Sequence, residues 1–293
     1  MSASALALDT RDTLRSRIEQ AFIAACVLDV TALKPGNVGV HAGGHRMQAI
    51  DFVRSARAAA PAIANDGGGV GERILRAVTA TQAVAAMNTN LGIILLAAPL
   101  AEAAQRAQGP LSRAGLFAAL EGVLAALTVA DAASAFEAIR LASPGGLGDA
   151  PRHDVREPAR ATLLESMREA ADRDSIARQY ATAYADVIHI GLAWLASCSG
   201  IGRRRAATEV FLGFLSRLPD SHVARKFGAA QAEALRDEAR MHLEARRQLP
   251  GLWEELAALR EWDVDLKARA LNPGTSADLT VATLFLSFLL ESD

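Results

Sequence analysis

ATQAVAAMNTNLGIILLAAPLA, residues 80–101, carries no charged side chain. Its length alone matches a bilayer, which takes about 20 consecutive apolar residues to cross. Its content does not, because Gln82, Asn88, Thr89, Asn90, Gly92 and Pro99 interrupt it. Such polar groups are costly to bury unless hydrogen-bonded. The run therefore predicts buried helical segments in a water-soluble protein. Residues 279–290 form a second apolar run, too short to span and likewise expected in a core.

Working outward, the 293-residue chain is 51% hydrophobic but only 5% aromatic, and alanine is abundant. Ala and Leu are strong helix formers, whereas β-branched and aromatic residues favour strands. Leu14, Ile18, Phe22 and Cys26 fall at i, i+4 spacing on one face. Similar patterns predict helices near 72–87, 90–106, 113–126, 128–141, 159–171, 174–198, 203–217, 222–247, 251–269 and 276–290. No stretch alternates as strands do. The expectation is an all-α, bundle-like single domain over residues 1–293, with roughly ten or more helices.

The net charge of −2 argues against a nucleic-acid partner, which usually needs a basic face. Cys26 and Cys198 lie in apolar stretches without metal-type spacing, as in reduced core cysteines. The start, MSASALALDTRD, lacks a basic region followed by a long apolar stretch. A cytoplasmic protein is expected. A homodimer is compatible with the helical surface, but no interface is specified.

Five polar breaks punctuate the helices. Lys34-Pro35-Gly36-Asn37, followed by His41 and His45, is a turn that exposes backbone N–H groups beside a cation suited to phosphate. Asn88-Thr89-Asn90-Leu91-Gly92 places three polar side chains in an apolar run; Asn88 and Asn90 are candidate N-caps or contacts to ribose or base. Residues 143–155 combine glycines with Asp149, His153 and Asp154, and Asp131 on the preceding helix is expected to reach the same place. Asp220 opens a helix that carries His222, Arg225 and Lys226 on one side, a cationic face for triphosphate. Asn272-Pro273-Gly274-Thr275-Ser276-Ala277-Asp278 reads as a capping-box variant, Thr275 to Asp278, or as an anion site at a helix start. There is no GxxxxGK[ST] motif, and DGGGVG at 66–71 follows no strand, so neither a P-loop nor a dinucleotide fold is indicated.

In order, KPGNV, VGERILRAV with NTNLG, PGGLGDA, DSHVARK and NPGTSADL resemble the triphosphoribosyl-dephospho-CoA synthases across residues 20–290. Family members usually carry His and Lys where this chain has Asn90 and Leu91. In that respect it looks more like relatives in methanogens and methylotrophs, found beside genes for tetrahydromethanopterin biosynthesis. The resemblance implies an all-helical cytosolic transferase. Such an enzyme moves the triphosphoribosyl group of ATP onto a hydroxyl of dephospho-CoA and releases adenine, using Mg²⁺. An alternative acceptor is a ribitol-containing pterin precursor. A second alternative is a non-catalytic nucleotide-binding protein.

On that reading Lys34, Arg225 and Lys226 hold the triphosphate, with the turn residues Gly36 and Asn37. Asn88, Thr89, Asn90, Asn272 and Ser276 position ribose or base. Asp149, Asp154, Asp220 and Asp278 are the carboxylates for a positively charged sugar or for Mg²⁺, with Asp220 and Asp278 the favoured metal ligands. His41 or His222 is the base.

Overall fold

A computed structural model describes residues 3–40, 48–85, 87–108, 111–143, 152–246, 248–249 and 251–291. These residues form fourteen α-helices and one π-helical segment, with no strand among them. The sequence expectation of an all-α protein holds. In order the helices are α1 (Ala3–Thr31), α2 (Ala49–Ile63), α3 (Val70–Val84), α4 (Leu91–Arg106), α5 (Arg113–Ala125), α6 (Val129–Ala142), α7 (Leu163–Ala170) and α8 (Ser175–Ala181). The π segment (Val187–Leu192) leads into α9 (Ala193–Ser197). Then come α10 (Arg203–Leu215), α11 (Ser221–Phe227), α12 (Ala229–Arg246), α13 (Leu252–Ala268) and α14 (Gly274–Leu290).

The two apolar runs are core helices. The second half of residues 80–101 lies in α4, buried along most of its length, and residues 279–290 lie in the equally buried α14. Among the described residues no single helix is long and apolar enough to cross a membrane. Helix α14 packs against α1, α4, α8, α10, α11 and the π segment. Small side chains allow this crowding. Ala25, Ala97, Ala98, Ala101 and Ala282 are all buried in the larger apolar cluster. A smaller cluster joins α10 to α13 with Leu33, Leu271 and Ala277. Cys26 and Cys198 are free and buried.

Two long predicted helices are each interrupted. Residues 174–198 break after α8, where Ala183 and Tyr184 adopt positive φ of 49° and 65°. The buried Gln179 side chain explains why. Its Oε1 accepts from Asp186 N at 3.2 Å and Val187 N at 3.3 Å, replacing helical acceptors. Residues 222–247 break at Gly228, whose φ of 92° suits a glycine.

Pro99 sits inside α4. Proline lacks an N–H, so the carbonyl four residues earlier, Leu95 O, loses its helical donor. Tyr180 Oη supplies one at 2.6 Å, and Tyr184 Oη donates to Leu96 O at 2.7 Å.

Candidate active site

The described parts of all five breaks meet around one cavity. Gly36 has φ of 80°, and a Cβ there would lie 2.7 Å from Leu271 O. The turn therefore docks on the segment before α14. Gly36 N donates to Asp263 Oδ1 at 2.8 Å, and Asn37 Nδ2 donates to Asn272 Oδ1 at 2.8 Å. This joins the first break to the last.

Asp220 joins the fourth break to the last. Its Oδ1 caps α11, accepting from His222 N at 2.9 Å and Val223 N at 3.1 Å. Its Oδ2 accepts from Ser276 N at 2.7 Å and Ser276 Oγ at 2.8 Å. The expected capping box of Thr275 and Asp278 is not formed. A carboxylate 56 residues away caps α14, and Thr275 Oγ1 accepts from His222 N at 3.1 Å instead. That frees Asp278 from the helix end. In the second break Gly92 makes room for it, because a Cβ there would overlap Asp278 Oδ2.

A cavity of about 740 Å³ opens at this junction. Asn37, Asn88, Thr89, Asn90, Asp154, His222, Arg225, Asn272 and Asp278 line it. Lys34, Gly36, Asp220, Ser276 and Lys226 do not. Lys34 is buried behind the wall, with Nζ 2.6 Å from Asp29 Oδ1 and 2.6 Å from Asn37 Oδ1. Lys226 is exposed, its ammonium 5.2 Å from the Phe227 ring centre. Asp131 does not line the cavity. It accepts from Gly71 N at 2.8 Å and from Thr128 N at 2.9 Å, holding α3 to α6. His41, His45 and Asp149 lie outside the described residues.

Several cavity residues escaped the sequence reading. Asp29 falls three residues after Cys26, on the apolar face of α1, and that misplaced charge was its signal. The α7–α8 junction contributes Asp172 and Arg173, between two predicted helices, and Asp174, Ser175 and Arg178, concealed within the second of them. Asp174 Oδ1 caps α8, and its Oδ2 accepts from Arg225 Nη1. Phe136, Ile139, Leu163 and Met167 form an apolar end.

The electrostatics centre on Asp278. Burial pushes its carboxyl well above the usual range, and the negative charges of Asp29 and Asp220 add to this against Lys34 and Arg225. Asp29 is also raised by burial, with Lys34 opposing. Among the described residues no donor bonds Asp278, nor does any partner bond the Asn90 amide. Asn90 occupies the N-cap position of α4 yet makes no cap bond, since Asn88 Oδ1 accepts from Leu91 N at 3.1 Å instead. An unpaired buried donor such as Asn90 Nδ2 costs about 1–3 kcal/mol. Among the described residues no cluster of three or more His, Cys, Asp or Glu is set to hold a metal.

An all-helical protein with two desolvated carboxyls, Asp29 and Asp278, in a cavity of mixed polar and apolar walls has the form of a small-molecule binding site. The family is identified by comparison. The family model for ATP:dephospho-CoA triphosphoribosyl transferase matches residues 15–293, and the chain belongs to that transferase family. A 2-(5''-triphosphoribosyl)-3'-dephosphocoenzyme-A synthase of Haemophilus ducreyi is 37% identical over 71 residues, spanning 24% of this chain and 22% of the relative's length. A crystal structure from Archaeoglobus fulgidus, of a proposed triphosphoribosyl-dephospho-CoA synthase, superposes with a TM-score of 0.63 at 26% identity. It covers 80% of this chain and 97% of the other.

Proposed function

We propose that the protein transfers the triphosphoribosyl group of ATP to a hydroxyl of dephospho-CoA and releases adenine. The observation that carries this reading is Asp278, a carboxyl without a hydrogen-bond donor among the described residues, facing the cavity where the motif segments meet. In the reaction the ribose C1′–N9 bond breaks and its electron pair leaves with adenine. A C1′–O bond forms to the acceptor. The acceptor hydroxyl gives its proton to a base, and adenine takes up one proton. Positive charge develops at C1′, and a desolvated carboxyl opposite it stabilises that charge.

Asp278 is assigned to C1′. His222, lining the same wall, is the base. Arg225, held by Asp174, faces the triphosphate. Lys34 is assigned indirectly, because it fixes Asp29 and Asn37 rather than reaching the cavity. Asp220 is fully engaged by four donors, which argues for a structural role instead of metal ligation. Asp154 is engaged by Arg156 through N at 2.9 Å, Nε at 2.8 Å and Nη2 at 2.6 Å. Mg²⁺ would therefore arrive with the triphosphate and share at most a carboxylate of the cavity, as this ion usually does with phosphates. It would neutralise phosphate charge.

Incubation with ATP, Mg²⁺ and dephospho-CoA, with adenine measured, tests the reading. Adenine release that depends on dephospho-CoA is expected. The resemblance of Asn88-Thr89-Asn90-Leu91-Gly92 to the methanogen and methylotroph relatives supports a second acceptor, the ribitol-containing pterin precursor, and adenine formed only with that acceptor selects it. ATP binding with no adenine under either acceptor removes the transferase reading.

A further inference from the structure

Asn90 is 5% exposed, and its side chain lines the cavity and has no hydrogen-bond partner among the described residues. Capping does not occupy it, since Asn88 performs that task. Its backbone (φ −152°, ψ 20°) departs from the extended form usual at an N-cap. Leu91, Ile93, Leu95, Ile176 and Ala177 are among the apolar residues that line the cavity with it, and Ile176 packs against Gly92, two residues on, as does the Asp278 carboxyl. A sugar would need many hydrogen bonds from its surroundings. A flat base needs apolar walls and one donor–acceptor edge. An asparagine amide matches adenine, its oxygen accepting from N6–H while its nitrogen donates to N7. The terminal torsion of asparagine is soft, so both ends can turn to one ligand.

We infer that Asn90 is the residue that reads the adenine base of the nucleotide donor, selecting a 6-amino purine over a 6-oxo purine. This rests on the proposed ATP reaction and adds a specificity determinant to it. With a 6-oxo purine the amide oxygen would face another acceptor. The preference is therefore removed when the amide is removed.

Titration calorimetry of ATP and of inosine triphosphate against the full chain tests this, alongside adenine or hypoxanthine release. The wild type is expected to bind ATP roughly ten- to a hundredfold more tightly than inosine triphosphate. Asn90→Leu should bring ATP affinity down to that of inosine triphosphate and leave the latter unchanged. Asn90→Asp keeps the shape but sets a carboxylate against N7, so ATP binding should weaken without any gain for inosine triphosphate. Asn90 holds no protein group, so Asn90→Leu should keep the wild-type melting temperature within a few degrees, whereas Asn90→Asp buries a carboxyl without a partner and should lower it. A preference for ATP that survives in Asn90→Leu overturns the inference while leaving the ATP reaction standing. So does equal binding of the two nucleotides by the wild type, or wild-type ATP affinity in Asn90→Asp. Failure of the wild type to bind either nucleotide overturns both.

Discussion

Tyr180 donates its phenolic O–H to Leu95 O at 2.6 Å, the carbonyl that Pro99 leaves without a helical partner. A helix with a proline in its third turn is thereby kept in a dry core, at the cavity wall that Leu95 helps to form. Tyr180→Phe removes the donor and leaves a buried carbonyl unpaired. A loss of about 1–3 kcal/mol in urea unfolding is expected. Tyr184→Phe, acting on Leu96 O, should cost a similar amount. No change in the unfolding midpoint of either variant would contradict the assignment.

Asp278 links stability to pH. Its carboxyl is raised above its ordinary value in the folded protein, so the stability it contributes is present in acid. That contribution is lost as pH climbs from the usual carboxylate range through the raised value. Asp278→Asn cannot ionise. Its stability relative to wild type should increase from pH 4 to pH 8, while adenine release falls on the order of 100-fold. Unfolding curves at both pH values and a release assay read the two effects separately.

Gly92→Ala is a geometric test of the same carboxyl. The added methyl displaces Asp278 Oδ2. The methyl would also meet Asp278 Cγ at 2.6 Å and Ile176 Cδ1 at 2.8 Å, so overpacking should cost about 1–3 kcal/mol, partly offset by alanine's better helix propensity. Misplacing a reacting group by about 1 Å can cost 100-fold in rate. A melting temperature lowered by a few degrees, with adenine release by the proposed reaction down at least tenfold in the protein that stays folded, is the expected pair of results.

Lys34 and Asp29 are both buried, with Nζ 2.6 Å from Oδ1. Lys34→Met leaves Asp29 as an uncompensated buried carboxylate and should cost about 3–5 kcal/mol. Lys34→Met combined with Asp29→Leu should recover much of that loss in urea unfolding. A double variant no more stable than the single would show that the two charges do not depend on each other.

The helical class was legible because a 3.6-residue period runs through nearly the whole chain, as in Ile18, Phe22 and Cys26. The breaks were legible as glycine and proline clusters. Hidden were features made by remote partners. Gln179 ends a helix with its own side chain, and nothing nearby marks it as a cap. Asp278 matched a local capping pattern, yet Asp220 performs that task and releases Asp278 into the cavity. Lys34 beside a Pro-Gly turn suggested a phosphate contact, while the fold turns it inward to Asp29. Each of these turned on which of two competing partners sits nearer in space, a quantity that spacing along the chain does not encode.

Helix α14 is the keel of the molecule. The same seventeen residues that six other segments lean on also deliver Asp278 to the cavity. Ligand occupancy and keel docking are therefore one equilibrium. A ligand seated on Asp278 at a hundred times its dissociation constant adds about 2.7 kcal/mol against unfolding of the entire chain. Protease resistance would then track the supply of substrate, and a protein short of its ligand would be the one cleared first.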